Sequence, residues 1–383
     1  MSQNASRLYF GGDGGFRILQ LTDLHYDGSD AVQRSNAEVS RKLLAFEQPD
    51  FVVLSGDMVS GYAWDGREQD WYQRMHAAAV APVVAASLPW AVVVGNHDTE
   101  SGTDAASILR LDSSMSSLSR TLRGPQSPNG TDYLLPVWVR GAGRGADADA
   151  IGAVLAFMYS GRDECLGVPK WGCVTPAQAS WLNQSLGSML AEAAAGSGRS
   201  AASIPVAVFL HIPPPPYMDV RNQVAIHGTV AETVGCPSVD TGLLEVFRQR
   251  NVVTVQAGHD HLNDFWGSIG GVAFLYGKKT GYGSYGPARG VPHGGRMLKL
   301  TAFDRTFETW IRTEDGAVDA QIDSARARTR QLHCDDAALE GDGGSIEGAL
   351  VVLPIVIVLV ALAALGGMWK RNRHRQRPAS PKT

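Results

Sequence analysis

The order of apolar and amphipathic segments predicts an α/β fold: a mainly parallel sheet, then a more antiparallel one, then a transmembrane helix at the C-terminus. Three observations carry this expectation. Short apolar runs without alternation are interleaved with helical periods over the first hundred residues. Short β-like pieces rich in glycine fill residues 267–313. Residues 349–369 then read ALVVLPIVIVLVALAALGGMW, with no charge.

FRILQL at 16–21 is an apolar strand ending just before Asp23 and His25. Residues 32–47 keep a helical period and stop before Pro49, which cannot continue a helix. FVVL at 51–54 and WAVVV at 90–94 are strands of the kind covered on both faces, with a helix over 68–86 between them. This β-α-β-α-β order implies right-handed crossovers and parallel pairing. Further strands are expected at 153–159, 206–210 and 252–256, and a helix at 240–250. A helix over 175–192 opens with Thr175-Pro176, an N-cap followed by a helix-starting proline. The Gly/Ala/Ser-rich stretches 140–150 and 193–202 read as surface insertions. Pro213–Pro216 is expected to stiffen the chain in an extended form. The chain thus divides into an N-terminal tail 1–15, a folded domain 16–313, a stalk 314–347, a transmembrane helix 348–369 and a basic tail 370–383.

The uncharged stretch is long enough to cross a ~30 Å hydrocarbon core as a helix. Trp369 sits where an interfacial aromatic would anchor it, and KRNRHRQR follows directly. The positive-inside rule places that tail in the cytosol and the large domain in a lumen or outside the cell. Three Asn-X-Ser/Thr sequons (Asn4, Asn129, Asn183) and four cysteines agree, with Cys165–Cys173 and Cys236–Cys334 as candidate pairs. MSQNASRLYFGGDGG shows no apolar signal region, so a tail-anchored protein facing the cytosol is the alternative.

The 383 residues, 44% hydrophobic and 19% charged, suit a globular protein with a sizeable core. The formal charge of −4 becomes −10 for residues 1–369 once the six Lys/Arg of the tail are set aside. A net acidic body argues against nucleic acid as a partner, which needs a basic stripe.

Five motifs carry chemistry: Asp23-Leu24-His25, Gly56-Asp57, Gly95-Asn96-His97-Asp98, His211, and Gly258-His259-Asp260-His261. Most follow a strand-like run, where parallel sheets build their sites. Asp-X-His at a strand end puts two ligands on one side of an extended segment. Gly56 lets the backbone turn so that the Asp57 carboxylate can face two ions. Any one motif alone also reads as a capping Asp, a surface His or a satisfied core His. Together their mixed oxygen and imidazole donors suit two transition-metal ions as a clamp on phosphorus.

In this order the motifs resemble the calcineurin-like metallophosphoesterase superfamily, over about residues 17–312. EQPDFVVLSGD, HIPPPPY, CPSVDTGLLEVFRQRNV, AGHDHLND and YGKKTGYGSYG are similar to a fungal and plant branch filed with purple acid phosphatases of the non-purple, "inactive" type. The resemblance implies a four-layer α-β-β-α sandwich with two central mixed sheets and two metal ions, Fe, Zn or Mn. It puts Asp23, His25, Asp57 and His261 on one ion. Asp57 bridges to the second, which also takes Asn96, His211 and His259. A metal-bridging hydroxide would attack the phosphorus directly, with no covalent phosphoenzyme. His97 would serve the leaving group as acid, and Asp98 would orient His97. Purple enzymes carry a tyrosine ligand in a GDxxY pattern. Here Ser60 takes that place, Tyr62 is displaced by two, and His25 is an added ligand, so an iron-tyrosinate colour is not expected.

The expected activity is a membrane-anchored phosphatase acting on phosphomonoesters, a phosphoprotein among them. The same centre would serve a phosphodiesterase acting on nucleotides or lipid headgroups. A non-catalytic membrane scaffold on the same fold is the alternative of another class. Tyr282 or Tyr285 could contact the leaving group, or simply pack in a glycine-rich hairpin. Asn263 and Asp264 could support the ligands or cap a loop.

Overall fold

Strands apolar on both faces need cover on both sides, and the first three receive it. In the computed structural model Gly15–Leu21, Phe51–Ser55 and Trp90–Val93 lie side by side and parallel, with Ile18 opposite Phe51 and Leu54 opposite Val92. The helices Asp30–Glu47 and Trp71–Ala85 form the crossovers between them. The structure describes residues 7–335 except 125–126, 146–147, 224, 322 and 326–330. The transmembrane helix expected at 348–369, the later part of the stalk and the basic tail lie outside the described residues. Among the described residues no helix is long and apolar enough to cross a membrane.

Two mixed sheets form the body. The six-stranded sheet runs Val318–Asp319, Phe307–Thr313, Gly294–Thr301, Gly15–Leu21, Phe51–Ser55, Trp90–Val93. The nine-stranded sheet runs Leu8–Tyr9, Tyr133–Val139, Ala150–Phe157, Val206–Phe209, Val252–Ala257, Val272–Tyr276, Trp266–Ile269, Ala225–His227, Asp323–Ala325. Period-two alternation divides the second sheet between two cores. Ala153, Leu155, Phe157, Ala207 and Phe209 join the apolar cluster of the first sheet. Val154, Ala156, Val206 and Val208 join a second cluster with Leu182, Leu186 and Phe247 of the helices Pro176–Ser197 and Leu243–Gln249. The result is a mixed α/β sandwich.

Residues 267–313 do not build a separate antiparallel sheet. Their hairpins divide, Trp266–Ile269 with Val272–Tyr276 extending one sheet and Gly294–Thr301 with Phe307–Thr313 the other. The helix that opens at Thr175 has a full capping box with Gln178 and runs on to Ser197, so part of the expected insertion at 193–202 is helical. Pro213–Pro216 is not an extended stiffener throughout. Pro216 begins the helix Pro216–Arg221, where its missing N–H costs nothing.

Both ends of the expected 16–313 domain gain residues. Leu8 and Tyr9 pair with Val137 and Trp138, and Val318–Asp319 pairs with Ile311–Arg312. Cys165–Cys173 and Cys236–Cys334 are disulfides, with Cα atoms 5.2 and 5.3 Å apart. The second closes a loop with a sequence separation of 98, which restricts the unfolded chain strongly. Replacing Cys236 and Cys334 together by serine is expected to lower stability by about 2–5 kcal/mol. A urea unfolding midpoint unchanged by the double substitution would contradict this.

Candidate metal centre

Each predicted ligand sits just past the carboxyl end of a parallel strand, and both sheets contribute. Asp23 and His25 follow Gly15–Leu21, Asp57 follows Phe51–Ser55, and Asn96 follows Trp90–Val93. His211 follows Val206–Phe209, while His259 and His261 follow Val252–Ala257. Four of these residues occupy the left-handed region: Asp23 (φ 54°), His25 (54°), Asp57 (51°) and His259 (78°). Such backbone costs about 1–3 kcal/mol per residue and persists only where its surroundings enforce it. Two glycines make the crowding possible. A Cβ on Gly56, itself at φ 93°, would lie 2.4 Å from His211 Nδ1, and one on Gly95 would lie 2.2 Å from Asp57 N.

The side chains converge in two groups that share Asp57: Asp23, His25, Asp57 and His261, then Asp57, His211 and His259. All are buried. Asp57 Oδ2 lies 3.1 Å from His211 Nε2 and 3.7 Å from His25 Nε2. Asp23 Oδ1 lies 3.4 Å from His261 Nε2. Asn96 Oδ1 reaches His259 Nδ1 at 3.0 Å.

The outer ring nitrogens decide what this cluster can hold. His211 Nδ1 donates to the Ser55 carbonyl at 2.9 Å, and His261 Nδ1 donates to the Tyr285 carbonyl at 2.8 Å. His25 Nδ1 lies 3.0 Å from Ser60 Oγ. With Nδ1 turned outward, each of these Nε2 atoms points inward. His211 Nε2 faces the Asp57 carboxylate, and the Nε2 atoms of His25 and His261 face each other at 3.1 Å. Imidazole nitrogens gathered around two carboxylates form a donor set for cations, and the oxygen and imidazole donors fit Fe, Zn or Mn.

Carboxylate and imidazole charges within the cluster offset one another. Burial pushes the Asp57 carboxyl up, but His211 and its neighbours override it and hold it well below the usual range. Asp23 is held low in the same way, against burial, by His261 and His211. Burial pushes His211 down, yet Asp57 and Asp23 raise it to about 10, while burial and the His211 charge push His259 down to about 3. Lys279, absent from the sequence reading, lies buried beside the cluster and donates from Nζ to the Asp23 carbonyl at 3.1 Å.

His97 stands at the edge of the cluster, half-buried, with its backbone N–H on Asp57 Oδ1 at 2.9 Å. Asp98 does not orient it, contrary to expectation. The turn at His97–Thr99 directs the Asp98 carboxylate inward, where it accepts from Val59 N at 2.9 Å and Gly95 N at 2.8 Å. Glu100 is the ring's partner, with Oε2 2.7 Å from His97 Nδ1. A carboxylate three residues beyond a histidine is within reach in any helical turn, which was the available signal. Asp98→Ala is therefore expected to cost stability, about 2–5 kcal/mol for two buried N–H groups left unpaired. Glu100→Gln is expected to lower kcat ~10-fold with little change in Tm. Thermal melts and steady-state rates of the two variants check the assignment, and reversed effects would refute it.

The remaining candidates resolve differently. Asn263 and Asp264 cap a loop, accepting from the N–H groups of Ala231, Glu232 and Thr229. The Tyr62 hydroxyl meets Ser60 Oγ at 3.2 Å, not the carboxylates. Tyr285 stacks on His261, whereas Tyr282 stacks on His293. Trp171 meets His259 edge-on, a long-range contact with no local signature in the sequence.

Comparison with known proteins gives the family. The chain is 25% identical over 354 residues to "Probable inactive purple acid phosphatase 29" of Arabidopsis thaliana, covering 82% of this chain and 87% of the relative. It is 25% identical over 281 residues to "Phosphatase DCR2" of Saccharomyces cerevisiae, covering 68% of this chain and 46% of that one. A dimetal phosphatase from Danio rerio superposes with a TM-score of 0.49 at 18% identity, covering 82% of this chain and 99% of the other. The family description "Calcineurin-like phosphoesterase" matches residues 16–263, more than half of the chain. This protein belongs to the calcineurin-like phosphoesterase family.

Proposed function

We propose that this protein is a metal-dependent phosphatase that hydrolyses phosphomonoesters by direct attack of water. The observation that carries the reading is the convergence on Asp57 of two histidine-containing groups whose outer nitrogens are held from behind. Asp23, His25, Asp57 and His261 would hold one ion, and Asp57, Asn96, His211 and His259 a second. When bound, two such ions supply the Lewis acidity that activates water and offsets phosphate charge.

The chain's own groups do the rest. Asp57 fixes the His97 backbone through Oδ1, setting the ring at the mouth of the cluster. Glu100 holds Nδ1, which leaves Nε2 to deliver a proton to the departing oxygen. The Glu100 carboxylate stabilises the imidazolium that carries this proton, a typical general-acid arrangement. The relatives carrying "inactive" in their names lend no support to activity, which makes a direct assay the necessary test. Nitrophenyl phosphate and bis-nitrophenyl phosphate would be compared with added Mn²⁺, Zn²⁺ or Fe²⁺. A phosphatase prefers the monoester, and strong preference for the diester would refute the reading.

The protein would be anchored by the uncharged segment 349–369, with its folded domain in a lumen or outside the cell. The charge pattern around that segment supports this, as do two disulfides, which persist in oxidising compartments. Asn129 lies exposed and suits a glycan acceptor, whereas the Asn183 side chain accepts from Arg250. A shift on glycosidase treatment that vanishes in Asn129→Gln supports the lumenal orientation. A glycan-free protein cut from the cytosolic side would overturn it.

A further inference from the structure

Three aromatic rings stand around the cluster, each against a different histidine. Trp171 meets His259 edge-on with centroids 4.3 Å apart, Tyr285 stacks on His261 at 4.0 Å, and Tyr62 meets His97 edge-on at 5.1 Å. Tyr62 and Tyr285 are 53% and 51% exposed. Large aromatic faces left open beside a reactive centre are available to a ligand, and covering them is favourable.

The rings are held, not loose. Trp171 lies just past the short hairpin of Glu164–Cys165 and Val168–Pro169, within the loop closed by the Cys165–Cys173 bond. There the chain crosses itself so tightly that a Cβ on Gly172 would lie 2.4 Å from the Ser160 carbonyl oxygen. Its indole Nε1 is buried with no hydrogen-bond partner. The Tyr285 hydroxyl donates to Glu232 Oε2 at 3.0 Å, and Glu232 in turn accepts from the Leu262 backbone N–H. Tyr62 is tied through Ser60 Oγ to His25 Nδ1. Rings fixed before binding lose little freedom when a ligand stacks on them.

We propose that this aromatic rim of Tyr62, Trp171 and Tyr285 selects phosphomonoesters with a flat aromatic leaving group, aryl phosphates such as the phosphotyrosine side chain, over alkyl phosphates. The proposal rests on the phosphatase reading above. A flat leaving group can stack or meet the rims edge-on, whereas the short alkyl arm of phosphoserine offers no ring to either geometry. Glu100, which holds His97, puts negative charge at the same mouth and disfavours an extended polyphosphate.

The test measures kcat/KM for phenyl phosphate against glycerol 2-phosphate, and for a phosphotyrosine peptide against its phosphoserine twin. Wild type, Trp171→Ala, Trp171→Phe and Tyr285→Ala are compared at equal metal content. Intrinsic leaving-group reactivity cancels when one substrate pair is followed across variants. The aryl-over-alkyl ratio is expected to fall about 2–10-fold in each alanine variant, mainly through KM, and to return in Trp171→Phe. A change confined to the small esters still supports the rim and identifies a free aryl phosphate as the substrate. Unchanged ratios in both alanine variants would overturn it. Calorimetric binding of phenylphosphonate and ethylphosphonate separates the two readings. If no ester is hydrolysed but phenylphosphonate binds more tightly to wild type than to Trp171→Ala, the phosphatase reading fails and the rim stands. Equal binding of both phosphonates to every variant would remove the rim.

Discussion

Replacing Asp57 with alanine is expected to strip both ions at once and lower kcat by more than about 10³-fold. No other side chain belongs to both ligand groups. Its Oδ2 lies close to the inward nitrogens of His211 and His25, while its Oδ1 holds the His97 backbone. One substitution therefore removes the shared ligand and loosens the acid together. His211→Ala touches one group only and should leave more metal behind. Elemental analysis beside steady-state rates checks this, with circular dichroism confirming the fold. An Asp57→Ala protein that keeps two ions and near-normal rates would refute the bridging role.

His97→Ala is expected to lower kcat by ~10²–10⁴-fold while both ions remain. The ring lies at the mouth of the cluster, with one nitrogen on Glu100 and the backbone on Asp57. Its loss should hurt esters of poor leaving groups most, because a nitrophenolate departs without a proton. The deficit on an alkyl phosphate should exceed that on nitrophenyl phosphate. Loss of metal, or an equal deficit on both esters, would point to a structural role instead.

What was legible in the chain was whatever local pattern determines. Apolar runs such as FVVL at 51–54 announced strands covered on both faces, and ligand motifs after them announced the site. The strand Tyr133–Val139 carries Pro136 inside it, which argues against a strand, and it was missed. The helix Ala105–Met115 exposes Ser113 and Ser114, poor helix formers, and has a one-residue cap at Asp104, a weak signature. The hairpins of 267–313 were visible as β structure, but which sheet each would join depends on pairing beyond the hairpin, with Ala273 opposite Thr254 and Arg296 opposite Gln20. The choice between Asp98 and Glu100 as partner of His97 hung on one turn of backbone. Trp171 reaches His259 across 88 positions of chain, a contact that no periodicity could have revealed.

The account stands or falls on whether this cluster binds two ions. Protein stripped with chelator and dialysed should be titrated with Mn²⁺ or Zn²⁺ and followed by calorimetry, with phosphatase rate measured at each step. Two equivalents per chain are expected, with the rate rising as the second is taken up and Asp57→Ala binding neither tightly. A folded protein that binds no ion, or that reaches full rate without one, would contradict the account.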